Sequence, residues 1–420
     1  MTAQALACDR LRLCLCGRRD ASAAAALRAA ARQPDWSWEA IAALAFAEGL
    51  APLLYNDLAQ TELWPAIPPG VRVDLQAAYE GSAIRNALLA CELEKVLGRL
   101  DEAGVACLLL KGAALAQEVY GDPALRPMND LDLLVHRADL GRALGVLAAC
   151  GYTESRVEER PGVTLAFESE LSLGKPGVIG IQIELHWRLL DAPFYQRRLP
   201  MAWFWETATP VQVGRTVAAG LGPEALLLYL CAHLVLHHRG QGLRWWVDLA
   251  EVLHKQGRRL DWPELLRRAA ACDLVMSLQA VLPALADAWA APVPADVLAQ
   301  LAAMQPSPAE RRVHADLTAG RRPVARRFWA DLMDLPDWKA RGRYAWAHFV
   351  PSPAYMLARY RPAHRWLLPL LYPWRWLIGL AGALAWKIAA IHPRSTDLTI
   401  SSPSAILDLV LPGKSPPQDG

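Results

Sequence analysis

Hydrophobic and polar positions change texture four times along the chain. Up to about residue 105, apolar residues recur at three- and four-residue spacing, as in Trp38-Glu39-Ala40-Ile41-Ala42-Ala43-Leu44-Ala45 and from Ala87 to Leu97, the period of helices with one buried face. The cluster Pro65-Ala66-Ile67-Pro68-Pro69-Gly70 marks a break between helices. From about 105 the apolar runs shorten and turn residues separate them. Val105 to Leu110 predicts a strand, Ala113 to Tyr120 a helix, Gly121-Asp122-Pro123 a turn and Leu131 to Val135 a second strand. Ala138 to Ala149 predicts a helix closed by Gly151, and Val178 to Leu185 a third strand. After Pro223 the helical period returns to about residue 300, and Asp261-Trp262-Pro263-Glu264 reads as a helix start. Residues 306 to 392 are rich in Arg, Trp and Pro, and those after Pro393 read as a flexible tail.

This pattern divides the chain into an N-terminal helical region (1–104), an α/β core (105–215), a helical domain (216–300), an Arg/Trp-rich helical region (301–392) and the tail (393–420). Strands alternating with helices between flanking helical regions predict an α+β fold with a small sheet.

Composition narrows the function classes. The chain has 420 residues, enough for two or three domains. Lys and Arg number 44 against 42 Asp and Glu, so the net charge of +2 gives no general reason to expect nucleic acid as a partner, without excluding it. The eight cysteines are scattered and form no CxxC pair, which speaks against a disulfide framework. Cys14 and Cys16 form a CxC without a matching second pair, and read as reduced thiols rather than a zinc site. Asp9, Arg10 and Arg12 interrupt the N-terminus, so no secretory signal is expected and the chain reads as cytoplasmic. Trp376 to Ile391 contains Lys387 and falls short of the roughly 20 apolar residues of a spanning helix.

The chemistry concentrates in Asn129-Asp130-Leu131-Asp132-Leu133-Leu134-Val135, which sets two carboxylates into an apolar strand. Residues two apart in a strand share a face, roughly 6.6 Å apart, so Asp130 and Asp132 project together while Leu131 and Leu133 face the other way. Neighbouring carboxylates raise each other's pKa unless a cation lies between them. Mg²⁺ (or Mn²⁺), a hard cation held by one or two carboxylates plus substrate phosphates, resolves that repulsion. Ile181-Gln182-Ile183-Glu184-Leu185-His186-Trp187 supplies a third acid, because alternation puts Gln182, Glu184 and His186 on one face. Asp130, Asp132 and Glu184 are therefore the expected metal ligands, and His186 faces the same cleft. An isolated DxD is ordinarily a solvated strand edge. That reading leaves unexplained the Lys111-Gly112 pair after one strand and Arg126 before the next.

Together these residues resemble the polymerase-beta-type nucleotidyltransferase superfamily, in which a strand leads into a glycine turn and a helix, a DxD strand follows, and a third acid sits on a later strand. Leu110-Lys111-Gly112-Ala113-Ala114-Leu115, Tyr120-Gly121-Asp122-Pro123, Leu125-Arg126-Pro127-Met128 and Asp130 to Val135 are similar to a bacterial nucleotidyltransferase-like family with a Lys-Gly motif. Members of that family often accompany biosynthetic clusters for modified peptides, including lasso peptides, and for exopolysaccharide. The Arg85-Asn86 helix, Glu184-Leu185-His186-Trp187, His233 and Arg244 to Ala250 extend the resemblance over roughly residues 35 to 290. Ala113 stands where the wider superfamily has a small hydroxyl residue, and 18 positions separate Gly112 from Asp130, more than is common there.

The resemblance implies a polymerase-beta-type mixed sheet and transfer of a nucleoside monophosphate, or a phosphoryl group, from an NTP such as ATP to a hydroxyl on a peptide, sugar or small molecule. Lys111, Gly112 and Arg126 would bind the nucleotide, Gly112 by letting the backbone approach phosphate at a helix N-terminus. Arg126 could instead be a structural salt bridge that holds the aspartates. His233 and Asp248 would support the site from the helical domain. The rival expectation is a non-catalytic nucleotide-binding or scaffold protein assisting a partner enzyme.

His233 and His237 lie four apart on a predicted helix without the Glu of HExxH, so cleft-lining histidines are expected rather than zinc ligands. Arg321, Arg322, Arg326, Arg327, Arg341 and Arg343, interleaved with Trp329, Trp338 and Trp346, read either as a helical packing surface or as a contact for a polyanion or membrane. Arg361, Arg365 and Trp366 to Trp386 extend the pattern toward peripheral membrane contact through 360–392.

Overall fold

The structure, a computed structural model, describes residues 3–17, 21–155, 157–177, 180–319 and 324–391. The expected tail at 393–420 and the basic pair Arg321-Arg322 lie outside them.

Among the described residues a single seven-stranded sheet organises the α+β fold. Its strands are β1 (Cys107–Leu109), β2 (Asp130–Val135), β3 (Thr153–Glu154), β4 (Glu170–Lys175), β5 (Ile181–His186), β6 (Thr209–Val213) and β7 (Thr216–Gly220), in the spatial order β3-β4-β5-β2-β1-β7-β6. β2 pairs antiparallel with β1 and parallel with β5, so the sheet is mixed. β2 is central because it can be buried on both faces: Leu131, Leu133 and Val135 enter one core, and Leu134 enters the other.

On one face the sheet is covered by Leu140–Ala149 and by the long helix Pro69–Glu102. The latter buries Leu89, Leu93, Val96, Leu97 and Leu100, a helical stripe starting half-way along it. Its buried Glu92 accepts from Lys175 Nζ on β4 at 2.6 Å and from Tyr152 at 3.2 Å, tying helix to sheet edge. On the opposite face lies an all-helical layer in which Pro223–Ala232 is buried from Ala225 onward. Asp261 caps Trp262–Ala271 by accepting from Glu264 N at 3.0 Å, at the helix start expected there.

Two boundaries differ from the expectation. The sheet continues past residue 215, because β7 pairs parallel with β1, as well as antiparallel with β6. The helix ending at Glu102 is shared: Leu89 to Leu100 enter the sheet's core, while Leu75 near its start joins the helical core, so the region up to 104 is not separate from the sheet. β3, β4, β6 and β7 were not anticipated: each is short or half-exposed and gains its identity from pairing.

C-terminal helices form a smaller cluster, with Phe328, Leu332 and Leu335 packed against Phe167 and Tyr344. Among the described residues no helix is long and apolar enough to cross a membrane.

Candidate functional site

The site is built where β2 runs beside β5. Parallel register sets Asp130 opposite Gln182, Asp132 opposite Glu184 and Leu134 opposite His186. Because Leu131, Leu133, Ile183 and Leu185 fill the core beneath the long helix, the alternation of each strand turns Asp132, Glu184 and His186 toward the other, helical layer. Oxygens of Asp132 and Glu184 and a ring nitrogen of His186 lie within 4.8 Å of one another, a spacing that one cation could bridge. Asp130, at the start of the strand, lies outside that group.

Lys111 enters from the neighbouring turn. After β1 the chain continues its pairing with Leu110 N donating to Asp132 O at 3.0 Å, then turns abruptly at Lys111, whose φ of +41° lies in the left-handed region. A side chain with a Cβ adopts that conformation at a cost of about 1 kcal/mol or more. What it gains is position: Lys111 Nζ donates to Asp132 Oδ1 at 2.8 Å and stands 3.8 Å from Glu184 Oε2, beside the buried Tyr229 hydroxyl. Burial disfavours the ammonium, but Tyr229 and Asp132 outweigh it and hold the Lys111 pKa well above normal.

The carboxylates are forced apart in acidity. Burial opposes ionisation of Asp132, yet Lys111 and His186 Nε2, 3.1 Å away, hold its pKa far below the usual range. Glu184 takes the opposite course: burial first, then repulsion from Asp132 and Glu170, pushes it up to about 8, although Lys111 offsets part of this. Asp130 is raised too, by burial and by Asp132. Asp132 and Glu184 thus share one lysine, with Asp130 and Glu170 adding negative charge around them, an arrangement that a divalent cation would relieve. Glu170 on β4 stands 3.1 Å from His186 Nδ1, adding negative charge beside the ring.

Arg126 is committed elsewhere. It is 5 % exposed, and its guanidinium grips Asp248, with Nη2 to Oδ2 at 2.9 Å and Nε to Oδ1 at 3.3 Å. Tyr120 donates to the same carboxylate at 2.7 Å, and Trp245 covers the guanidinium with its ring centre 5.9 Å away. The salt bridge is therefore to the helix Leu243–Gln256, not to the strand aspartates. Gly112 follows from this: a Cβ there would stand 2.6 Å from Arg126 Nη1, so only glycine lets the fork pass. The loop carrying Arg126 is held by Asn86, which donates to Pro123 O at 2.6 Å and Arg126 O at 2.9 Å and accepts from Met128 N at 3.2 Å.

His233 begins a π-helical turn, His233–His237, closed by His238 N donating to His233 O at 3.2 Å. The wider turn brings the side chains four and five residues on to either side of His233, so His238 joins a group that α-helical spacing would exclude. Burial and the neighbouring Lys111 hold the His233 pKa well below normal, and burial with His237 lowers His238 to about 4.

The sequence thus pointed to Lys111, Asp132, Glu184 and His186, which the fold brings together, and to Arg126 and Asp248, which it pairs as a separate clasp. It missed Glu170 and Tyr229, and it gave Tyr120 and Asn86 only as parts of the resemblance, without their roles. Glu170 left a signal, the alternation Glu170-Leu171-Ser172-Leu173 of a half-buried strand.

Among solved structures, an antigenic nucleotidyltransferase-like protein from Paracoccidioides brasiliensis is similar at 17% identity and a TM-score of 0.31, over 51% of this chain and 95% of that one. No curated protein matches the chain. The model of a family described as uncharacterised nucleotidyltransferase matches residues 34–290. That span holds the sheet, the acids, Lys111 and the Arg126–Asp248 clasp, and it covers more than half of the 420 residues. The chain belongs to this nucleotidyltransferase family.

Proposed function

We propose that the protein is a Mg²⁺-dependent (or Mn²⁺-dependent) nucleotidyltransferase that moves a nucleoside monophosphate from an NTP to a hydroxyl-bearing acceptor, a peptide, sugar or small molecule. The observation that carries the reading is the in-register pair of Asp132 and Glu184 across β2 and β5, with Glu184 driven up to about 8 by burial and then by neighbours of its own sign. Asp132, Glu184 and His186 would hold the cation, with Asp130 at the outer edge of the cluster. When bound, the ion would neutralise the carboxylates and the phosphate oxygens.

In this reading the acceptor hydroxyl oxygen bonds to the α-phosphorus, the bond from that phosphorus to the bridging oxygen breaks, and pyrophosphate leaves. Glu184 is the better candidate to take the hydroxyl proton, because Asp132 is already engaged by Lys111 and His186. Lys111 supplies positive charge to the phosphates at the start of the helix Lys111–Glu118. Arg126 adds positive potential behind that turn while remaining clasped to Asp248. His233 and Asp248 support the cleft from the helical layer.

The test is incubation with labelled NTPs, Mg²⁺ or Mn²⁺ and candidate acceptors, alongside Asp132→Asn and Glu184→Gln. Transfer should require the metal and fall by about a hundredfold or more in either variant. A second reading rests on Lys111 itself, whose ammonium already answers Asp132 and Glu184 without any metal: a non-catalytic nucleotide-binding or scaffold protein. NTP binding by calorimetry with no transfer, together with unchanged pathway output in Asp132→Asn, would favour that reading and refute the first.

A further inference from the structure

The C-terminal helix Leu368–Ile391 is inside out. Polar groups tie its inner side to the protein: Tyr372 donates to Pro351 O at 2.9 Å, Arg375 pairs with Glu159 at 2.9 Å, and Trp376 Nε1 donates to Phe349 O at 2.8 Å. Its outer side is apolar. Trp366 in the preceding turn is 71% exposed, followed by Leu370 at 60%, Trp374 at 41%, Leu377 at 60% and Leu380 at 67%. Steps of four, four, three and three residues place these five on one stripe. A helix packed on a water-soluble core normally carries the reverse pattern.

Charge is segregated in the same place. Residues 338–391 contain eight Lys and Arg and not one Asp or Glu. Since the whole chain carries +2, the rest sums to −6 (2 − 8 = −6). Arg359, Arg361 and Arg365, all exposed, cluster just before the helix begins.

We propose that this face docks on an anionic phospholipid surface, with the helix lying in the plane of the interface, the apolar stripe among the acyl chains and the arginines at the phosphates. Two copies of the face would bring the three exposed arginines Arg359, Arg361 and Arg365 of one against those of the other, which opposes a symmetric dimer through it. A nucleic acid would match the charge but offers no apolar layer for Leu370, Leu377 and Leu380. Spanning is not what the helix is built for, because Arg375 and Pro373 interrupt it. The proposal is independent of the transfer reaction.

Co-sedimentation of the full chain with vesicles tests it, comparing phosphatidylcholine alone with phosphatidylcholine containing about 30% phosphatidylglycerol. Binding should be at least tenfold stronger to the anionic vesicles and fall at least tenfold at about 0.5 M salt. Leu377→Glu/Leu380→Glu should abolish it, and Arg361→Gln/Arg365→Gln should weaken it, with circular dichroism unchanged because all four side chains are exposed. Absence of binding by the native chain overturns the proposal. So does vesicle binding that survives Leu377→Glu/Leu380→Glu, or a concentration-dependent dimer that this variant dissolves while vesicles are ignored.

Discussion

Gly112→Ala separates two explanations of the Lys-Gly turn. If glycine serves only the approach of a phosphate, the substitution leaves the free protein intact. The geometry says otherwise, because the new Cβ would lie 2.6 Å from Arg126 Nη1, where ordinary contact begins at 3.4 Å. Nη1 would have to retreat by about 0.8 Å, displacing a guanidinium whose other edge, Nη2 and Nε, is held by Asp248 at 2.9 and 3.3 Å. Losing one partner of a buried ion pair costs about 3–5 kcal/mol and overpacking about 1–3 kcal/mol, so partial loss here should cost about 2–4 kcal/mol. Gly112 lies in a helix at ordinary φ, so alanine returns up to about 1 kcal/mol of backbone entropy and the net destabilisation should be about 1–3 kcal/mol. In an Arg126→Ala/Asp248→Ala background the clash is gone, and the same substitution should instead stabilise by up to about 1 kcal/mol. Urea unfolding of the four proteins, followed by circular dichroism, measures the coupling. An equal effect of Gly112→Ala in both backgrounds would refute the close approach as the reason for the glycine.

Three further outcomes are expected. With Glu184 raised to about 8, a divalent cation must displace its proton, so Mn²⁺ affinity should rise with pH by up to about tenfold per unit and level off above about 8; isothermal titration should find that slope flattened in Glu184→Gln. The sign for stability is opposite without metal: the folded pKa lies above the unfolded one, so the metal-free protein should lose stability as pH rises from about 4.5 towards 8, and saturating Mn²⁺ should reverse the trend in thermal melts. Glu92→Ala should cost about 2–3 kcal/mol in urea unfolding, because it strands Lys175 and Tyr152 at the junction of helix and sheet; a loss below about 0.5 kcal/mol would show the cluster to be energetically idle.

Part of this site was legible because strand periodicity is local. Alternation alone puts Asp130 with Asp132 and Glu184 with His186, and it divides the leucines from the acids, as the two cores bear out. The textures of the helical stretches after 223 were equally plain, since three- and four-residue spacing needs no knowledge of a partner. β7 was not legible and β4 only through a short alternation: their residues are half-exposed, and the neighbours they pair with make them strands.

What the sequence by itself determined is therefore the set of charged residues and the face each occupies on its own element. Which charges meet was decided by tertiary structure. Register across β2 and β5 put Asp132 beside Glu184, a left-handed backbone at Lys111 swung its ammonium onto Asp132, and packing of the helix Leu243–Gln256 gave Arg126 to Asp248. The physical reason is range: side-chain direction along a strand or helix follows from a few adjacent dihedrals, whereas an ion pair 122 residues apart in sequence exists only once two layers have closed over it.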